Sequence, residues 1–257
     1  MSNIDKVFAR GKAFIPFITV GDPDIETTEK LVYALEEAGS DLIELGIPFS
    51  DPTAEGPVIM GASERALQNS ICTDDVFDLV QRIRKNTDIP LAFMTYANVI
   101  FSYSIERFAQ RAQQAKIDAV IIPDIPFEEK DEFEQIFSEF GVDFISLIAP
   151  TSRDRVKMIA QEAKGFLYCV SSLGVTGVRS SFSSNLEDLI KTVKQVRPSL
   201  PCAIGFGISN PQQAHEMAAI SDGAIVGSAI VELVEQYGRD CVSKVKEFAS
   251  SMKESVS

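Results

Sequence analysis

The feature of this sequence that most constrains its fold is a regular alternation between short apolar segments and longer amphipathic ones. The short segments are rich in β-branched residues and often end at Gly, Pro or Asp, which is typical of buried strands. The amphipathic segments carry apolar residues at helical spacing, and several stop at a glycine. The alternation starts near residue 14 and predicts eight consecutive strand–helix units.

We predict strands over residues 14–20, 42–47, 91–96, 119–124, 143–149, 166–171, 202–207 and 223–226. The helices between them are predicted over residues 27–38, 63–68, 74–84, 105–114, 128–140, 154–163, 186–196 and from 211. Thr73 is predicted to cap the helix over 74–84. A short helix should precede the first strand, and two more should follow the last, from 228 and over 239–252.

This alternation favours a parallel sheet with helices outside it. Eight such units within about 250 residues match a closed (β/α)8 TIM barrel. We therefore expect one barrel domain over residues 1–257, with short extra helices at the N-terminus and after strand eight. A doubly wound open sheet is the alternative, but no Gly-x-Gly-x-x-Gly motif follows the first predicted strand.

Composition narrows the class of function. The formal net charge of -13 argues against nucleic acid and anionic membranes as partners. The four cysteines form no Cys-x-x-Cys pair, which argues against a disulfide framework and a structural zinc site. No stretch approaches the roughly 18 apolar residues of a membrane-spanning helix, and the opening residues lack a signal-peptide pattern. We expect a cytoplasmic protein that binds no metal.

One carboxylate, Glu44, lies at the centre of the second predicted strand. An ionised carboxylate is costly inside an apolar strand, so this group should be paired, raised in pKa, or active at the end of the strand. In a barrel of this type the chemistry lies at the C-terminal ends of the strands and in the loops that follow them. Glu44 and Glu55, in the next loop, can therefore face one opening. A purely structural, paired Glu44 is the alternative.

Glycine-rich pieces follow predicted strands six, seven and eight, at residues 174–177, 205–207 and 227–228. Glycines let backbone N–H groups approach an anion closely, and a helix beginning near Ser228 adds unpaired N–H groups and a favourable dipole. We predict a phosphate site made mostly of neutral amide donors. With Glu44, Glu55 and Tyr168 nearby, the predicted site suits general acid–base chemistry on a phosphorylated, partly apolar small molecule.

Eight ordered stretches of the sequence resemble the tryptophan synthase alpha chain family. They are FIPFITVGDP at 14–23, IELGIPFSDP at 43–52, GP at 56–57, MTYAN at 94–98, PDIP at 123–126, GVTG at 174–177, GFGIS at 205–209 and VGSAI at 226–230. Together these stretches are highly specific, and the resemblance covers nearly the whole chain.

The resemblance implies retro-aldol cleavage of indole-3-glycerol phosphate to indole and glyceraldehyde 3-phosphate. It implies an alpha2beta2 assembly in which indole passes through a channel to a beta chain; pyridoxal phosphate is expected in that beta chain and no cofactor in this one. The implied catalytic residues are Glu44 as general acid–base, Glu55 as the stabiliser of positive charge on the indole nitrogen, and Tyr168. The implied substrate-binding residues are Phe17, Thr176, Gly177, Gly205, Phe206, Gly207, Gly227 and Ser228. Asp51 and Asn98 are implied at the beta-chain interface, and Thr176 in a mobile lid.

The chain departs from the family pattern at Glu55, where members of the family commonly carry Asp. The extra methylene moves the carboxylate, and a misplacement of about 1 Å can cost on the order of a hundredfold in rate. Two alternatives therefore stand beside an active alpha subunit. One is a catalytically weak chain that mainly binds and activates a beta chain, and the other is a free-standing lyase that needs no partner.

Overall fold

The computed structural model describes residues 3–152, 155–170, 179–205 and 207–256. Within these ranges the strands are β1 Ala13–Thr19, β2 Ile43–Gly46, β3 Leu91–Met94, β4 Ala119–Ile121, β5 Asp143–Ile148, β6 Leu167–Val170, β7 Cys202–Gly205 and β8 Gly223–Val226. They lie in sequence order in one closed barrel, and every neighbouring pair is parallel. The predicted (β/α)8 barrel is confirmed.

Helices surround the barrel. In the described part of the chain they are α1 Asn3–Val7, α2 Ile25–Glu37, α3 Pro57–Gln68, α4 Thr73–Ile83, α5 Ala97–Tyr103, α6 Ile105–Gln114, α7 Asp131–Glu139, α8 Val156–Glu162, α9 Arg179–Val196, α10 Pro211–Ile220, α11 Ser228–Tyr237 and α12 Val242–Val256. The extra helices predicted at the N-terminus and after the eighth strand are confirmed as α1, α11 and α12. Among the described helices, none combines the length and the apolar character that a bilayer crossing requires.

Helix α1 covers the N-terminal end of the barrel. Ile4 is fully buried, and the Phe8 ring lies 5.3 Å from the ring of Phe166. Gly165, just before β6, adopts a φ of +61°, and a Cβ atom there would lie only 2.8 Å from Ile4. Glycine is therefore needed at this position for two reasons, conformation and space. The end of the barrel opposite the strand C-termini is thus closed by side chains.

Three aspartates hold the beginnings of the strands at this closed end. Asp118 and Asp222 immediately precede β4 and β8, and Asp41 lies two residues before β2. In each case the carboxylate accepts a hydrogen bond from a backbone N–H near the start of the preceding strand in the sequence. The pairs are Asp41 with the N–H of Phe14, Asp118 with that of Leu91, and Asp222 with that of Cys202, at 2.8–2.9 Å. Their cationic partners are Lys253, Arg84 and Lys194, respectively. We call these three contacts the aspartate clasps.

Some predicted helix starts were wrong. Helix α3 begins at Pro57 instead of residue 63, because Gly56 is its N-cap and proline suits a first turn. Helix α4 is capped by Cys72 and not by Thr73; the Asp75 carboxylate accepts the N–H of Cys72 at 2.9 Å, so Thr73 is already helical. Helix α9 begins at Arg179, seven residues earlier than predicted.

Other differences lie where the chain leaves the sheet. The seven-residue helix α5 was not predicted, and β3 and β4 end at Met94 and Ile121, before the predicted ends at 96 and 124. The predicted helix over 128–140 is a 3-10 turn followed by α7, and the last helix extends to Val256. These shifts do not change the order of the elements, so the ends of the strands that carry the candidate residues stay together.

A cluster of aromatic rings fills the space between the barrel and helices α4 and α6. Phe77, Phe93 and Phe108 are fully buried, and the Phe77 ring lies 5.5 Å from that of Phe93 and 5.1 Å from that of Phe108. Both contacts are edge-on, which is favourable for aromatic pairs. This cluster holds two outer helices on the barrel wall.

We expect Phe77→Ala to lower the free energy of unfolding by about 3–5 kcal/mol, because it removes a buried ring and leaves a cavity. Denaturant unfolding of both proteins measures the difference. The matched control is Tyr237→Ala, which removes a ring that is 39% exposed. Equal losses for the two variants would contradict the role given to Phe77.

Candidate active site

A cavity of about 470 Å³ opens at the C-terminal ends of the strands. Its described wall includes six of the residues singled out in the sequence: Phe17, Glu55, Tyr168, Gly207, Gly227 and Ser228. They come from β1 and β6, from the loops that follow β2, β7 and β8, and from the first residue of α11. The topology of the barrel therefore brings together residues that are far apart in the sequence.

Glu44 lies in β2, beside Phe17 of β1 in the strand register and fully buried. It is not among the residues of the described cavity wall. Neither carboxylate oxygen has a hydrogen-bond partner within the described residues. Burial raises the pKa of Glu44 to about 8, so at neutral pH the group is mostly an uncharged acid.

Glu55 lies in the loop between β2 and α3 and is half-buried in the cavity wall. Its Oε2 atom has no hydrogen-bond partner in the part of the chain that the structure describes. Burial raises the pKa of Glu55 to about 7, and a contact with the Tyr96 hydroxyl acts in the opposite direction. Glu55 can therefore gain or lose a proton close to neutral pH.

Tyr168 of β6 is close enough to both glutamates for their charges to act on its phenol. Burial raises the pKa of its phenol well above the ordinary value, and the charges of Glu44 and Glu55 raise it further. The phenol therefore stays protonated. A Cβ atom at Gly205 of β7 would lie 2.6 Å from the Tyr168 hydroxyl, so the ring packs directly on the backbone of Gly205. Gly205 supports Tyr168 and is not part of the described wall of the cavity.

The rim after β7 and β8 presents backbone groups. Gly207 has a φ of +76°, a conformation that favours glycine. Gly227 is the N-cap of α11 and Ser228 is its first residue, so the unpaired N–H groups of this helix begin at the cavity. Among the described lining residues Arg155 is the one cation, and its guanidinium lies 3.0 Å from Glu128. An anion at this rim would meet mostly neutral donors.

The remaining predicted residues lie elsewhere. Asp51, in the loop after β2, and Asn98, in the first turn of α5, are exposed outside the cavity. Both belong to segments that follow the C-terminal ends of strands, and their role at an interface stays a prediction. Thr176, Gly177 and Phe206 lie outside the described residues.

Comparison with known proteins places this site in a family. The sequence matches the family model described as tryptophan synthase alpha chain over residues 5–257. The chain belongs to this family. It is 48% identical over 261 residues to the tryptophan synthase alpha chain of Thermoanaerobacter sp. (strain X514), and the match covers 99% of each chain.

Solved structures of the family agree with the fold. The crystal structure of tryptophan synthase subunit alpha from Legionella pneumophila str. Paris has a TM-score of 0.89 and 38% identity, covering 100% of this chain and 98% of that one. A chain in the tryptophan synthase a2b2 complex from Pyrococcus furiosus has a TM-score of 0.86 and 33% identity, covering 95% and 99%. This chain is therefore a lyase of the tryptophan synthase alpha type, and the second comparison supports a beta-chain partner.

Sequence reasoning missed part of the cavity wall. Leu147 lies near the end of β5 and Ile125 in the loop after β4, so the rule that chemistry follows strand ends could have found both. Ile59 also lines the cavity. It lies in the first turn of α3, which the sequence analysis missed because it predicted the helix from residue 63. Arg155 gave no local signal, since its place at the rim depends on how the loop after β5 folds.

The raised pKa of Glu44 makes stability depend on pH. The folded chain binds this proton more tightly than the unfolded chain, in which the pKa is near 4.5. The resulting stabilisation is fully present below that pH and is lost as the pH rises through about 8. Glu44→Gln removes the titration, so wild type should lose on the order of 4 kcal/mol relative to this variant between about pH 4.5 and pH 8. Denaturant unfolding of both proteins across this pH range measures the difference in unfolding free energy, with the exposed Glu139→Gln as control. A difference between wild type and Glu44→Gln that does not change with pH would contradict the raised pKa of Glu44.

We expect Gly205→Ala to displace Tyr168, because the added methyl group overlaps a ring that packs directly on the Gly205 backbone. Its unfolding free energy should fall by about 1–3 kcal/mol, as for other overpacked sites. Its lyase rate should fall as well. The control is Gly61→Ala in α3, where the new methyl group meets only the end of Arg65 at 3.4 Å. An unchanged rate in Gly205→Ala would show that Tyr168 need not hold its place.

Proposed function

We propose that this cavity cleaves indole-3-glycerol phosphate to indole and glyceraldehyde 3-phosphate by general acid–base catalysis, with Glu44 as the acid–base group. The observation that carries the proposal is a fully buried carboxyl group with no hydrogen bond in the described chain, close to Tyr168, which lines the same cavity as Glu55. Burying such a group stabilises nothing by itself, so its place is best explained by a reaction that needs a proton at neutral pH.

Glu44 supplies two proton transfers. With a pKa of about 8 it holds a proton at neutral pH and donates it to the ring carbon of the indole that bears the side chain. The carboxylate that results accepts the proton of the hydroxyl group on the adjacent carbon. The carbon–carbon bond then breaks, with its electron pair returning to the ring, and the side chain leaves as the aldehyde. Because no described hydrogen bond restrains Glu44, its side chain can turn toward the cavity for both steps.

The other residues hold the substrate and its developing charge. Protonation of the ring carbon places positive charge on the indole nitrogen, and the ionised Glu55 stabilises it. Tyr168 stays uncharged and positions the intermediate between the two carboxylates. Phe17, with 2% of its surface exposed, supplies an apolar wall for the ring.

The phosphate group is held by the rim after β7 and β8. Gly207, Gly227 and Ser228 offer backbone N–H groups there, and α11 begins at the same point. These local donors are needed because a chain with a net charge of -13 does not attract a phosphate group through its overall field. We include Gly177, Phe206 and the lid residue Thr176 in the proposal on the family resemblance alone.

The indole product passes to a beta chain, in an alpha2beta2 assembly that contains pyridoxal phosphate in the beta chain. The comparison with the Pyrococcus furiosus complex supports such a partner. Asp51 and Asn98, both exposed in segments that follow the C-terminal ends of strands, are proposed to contact it. The enzyme is proposed to act in the cytoplasm.

We expect Glu44→Gln to lower kcat by about 1,000-fold or more while the affinity for indole-3-glycerol phosphate changes only a few-fold, because the shape is kept and the proton is lost. Indole release is measured with and without a beta chain, and binding by calorimetry. Glu139→Gln is again the control. Substantial turnover by Glu44→Gln would refute its role. Wild type with no turnover even beside the beta chain would favour the binding-partner alternative, and a high rate that the beta chain leaves unchanged would favour a free-standing lyase.

A further inference from the structure

Tyr96 is a buried residue next to Glu55 that the proposed reaction does not use. It follows β3, caps the N-terminus of α5, and is 2% exposed. The ring of Phe49 lies 5.2 Å from the Tyr96 ring, and the neighbouring N–H of Ala97 donates to Asp124 at 3.0 Å. Both the ring and the backbone of Tyr96 are therefore fixed in place.

The hydroxyl of Tyr96 has one hydrogen-bond role already filled. It accepts the backbone N–H of Ala54 at 3.2 Å, so its own proton is free to be donated. Ala54 directly precedes Glu55, and the Tyr96 hydroxyl contacts the Glu55 carboxylate. With the Ala54 N–H bonded to its oxygen and its own proton available to the Glu55 carboxylate, the phenol can hold this short stretch of loop at two points.

The Glu55 loop needs such a support. Residues 48–55, within the connection from β2 to α3, have no regular secondary structure, so backbone hydrogen bonds of a helix or strand do not fix them. Oε2 of Glu55 is buried and lacks a hydrogen-bond partner within the described ranges. Its position is therefore set by what touches the rest of the carboxylate, and Tyr96 is the fixed polar group beside it.

We propose that Tyr96 is a positioning residue, which directs the Glu55 carboxylate into the cavity. This inference rests on the proposed function, in which ionised Glu55 stabilises the positive charge on the indole nitrogen. Tyr96 acts through Glu55 and needs no contact with the substrate.

The groups that face this pair set the direction of the pH effect. Glu55 acts on both Tyr96 and Tyr168, while Asp124 acts on Tyr96 and Glu44 acts on Tyr168. Burial and the Glu55 and Asp124 charges raise the pKa of Tyr96 far above neutrality, so it remains a donor. Its contact lowers the pKa of Glu55, so loss of the hydroxyl should raise that pKa and move the acid limb of the rate profile to higher pH.

The test is Tyr96→Phe, which keeps the ring and removes only the hydroxyl. Steady-state cleavage of indole-3-glycerol phosphate is measured from about pH 5.5 to pH 9, with and without a beta chain. We expect kcat at pH 7 to fall about 10- to 100-fold, the range for loss of a hydrogen bond to a charged group. KM should change little, and the acid limb of kcat should move to higher pH. A purely structural tyrosine would not move that limb.

The matched control is Tyr103→Phe at the other end of α5, whose hydroxyl bonds the exposed Asp74 outside the cavity. It should keep the wild-type rate and profile. A double-mutant cycle with Glu55→Gln adds an independent readout, because Tyr96→Phe should have almost no further effect once Glu55 is replaced.

The outcomes distinguish a failure of the role of Tyr96 from a failure of the proposed function on which it rests. Wild-type kcat and an unmoved acid limb in Tyr96→Phe, together with a strong loss in Glu55→Gln, would overturn the role of Tyr96 alone. Full activity in Glu55→Gln would overturn the role of Glu55 and the inference with it. Equal effects of Tyr96→Phe with and without Glu55 would also overturn the inference, because they would show an effect through general stability.

Discussion

Closure of the barrel by β1 and β8 is the contact on which the rest of the structure depends. The register pairs Ala13 with Gly223 and Pro16 with Val226, so the first and last strands satisfy each other's backbone groups. A Cβ atom at Gly223 would lie 2.8 Å from the carbonyl oxygen of Ala13, so only glycine allows the approach. Without this joint the sheet would have two open edges, and Gly227 would not lie beside Phe17, which it now nearly touches.

The buried carboxyl group of Glu44 lowers the stability of the fold. An apolar residue in place of Glu44 would bury as much surface without the cost of a carboxyl group that lacks described hydrogen bonds. The protein instead keeps an acid whose pKa is raised to about 8 by burial alone. The same desolvation that weakens the fold at high pH gives the group a proton to donate at neutral pH. Stability and reactivity here have one physical cause.

Much of the fold and of the candidate site could be predicted from the sequence, since strand ends and short motifs are local signals. Glu44, Tyr168 and Gly227 were placed correctly at one end of a barrel because alternation along the chain fixes which residues end a strand. Helix α5 was missed because seven residues are too few to show a clear period. Nor could the sequence reveal that Gly205 supports Tyr168, since the two residues meet only when β6 and β7 pair.

The aspartate clasp before β2 has a consequence at the opposite end of that strand. Side chains alternate between the two faces of a strand, so a slip of one residue would turn Glu44 away from Tyr168 and into the helical layer. The hydrogen bond from the N–H of Phe14 to Asp41 ties β2 to β1 before the first paired residues, Phe17 and Glu44. The orientation of the Glu44 side chain is therefore set from the closed end of the barrel. A substitution that breaks this clasp would lower the lyase rate, although none of the clasp residues lines the cavity.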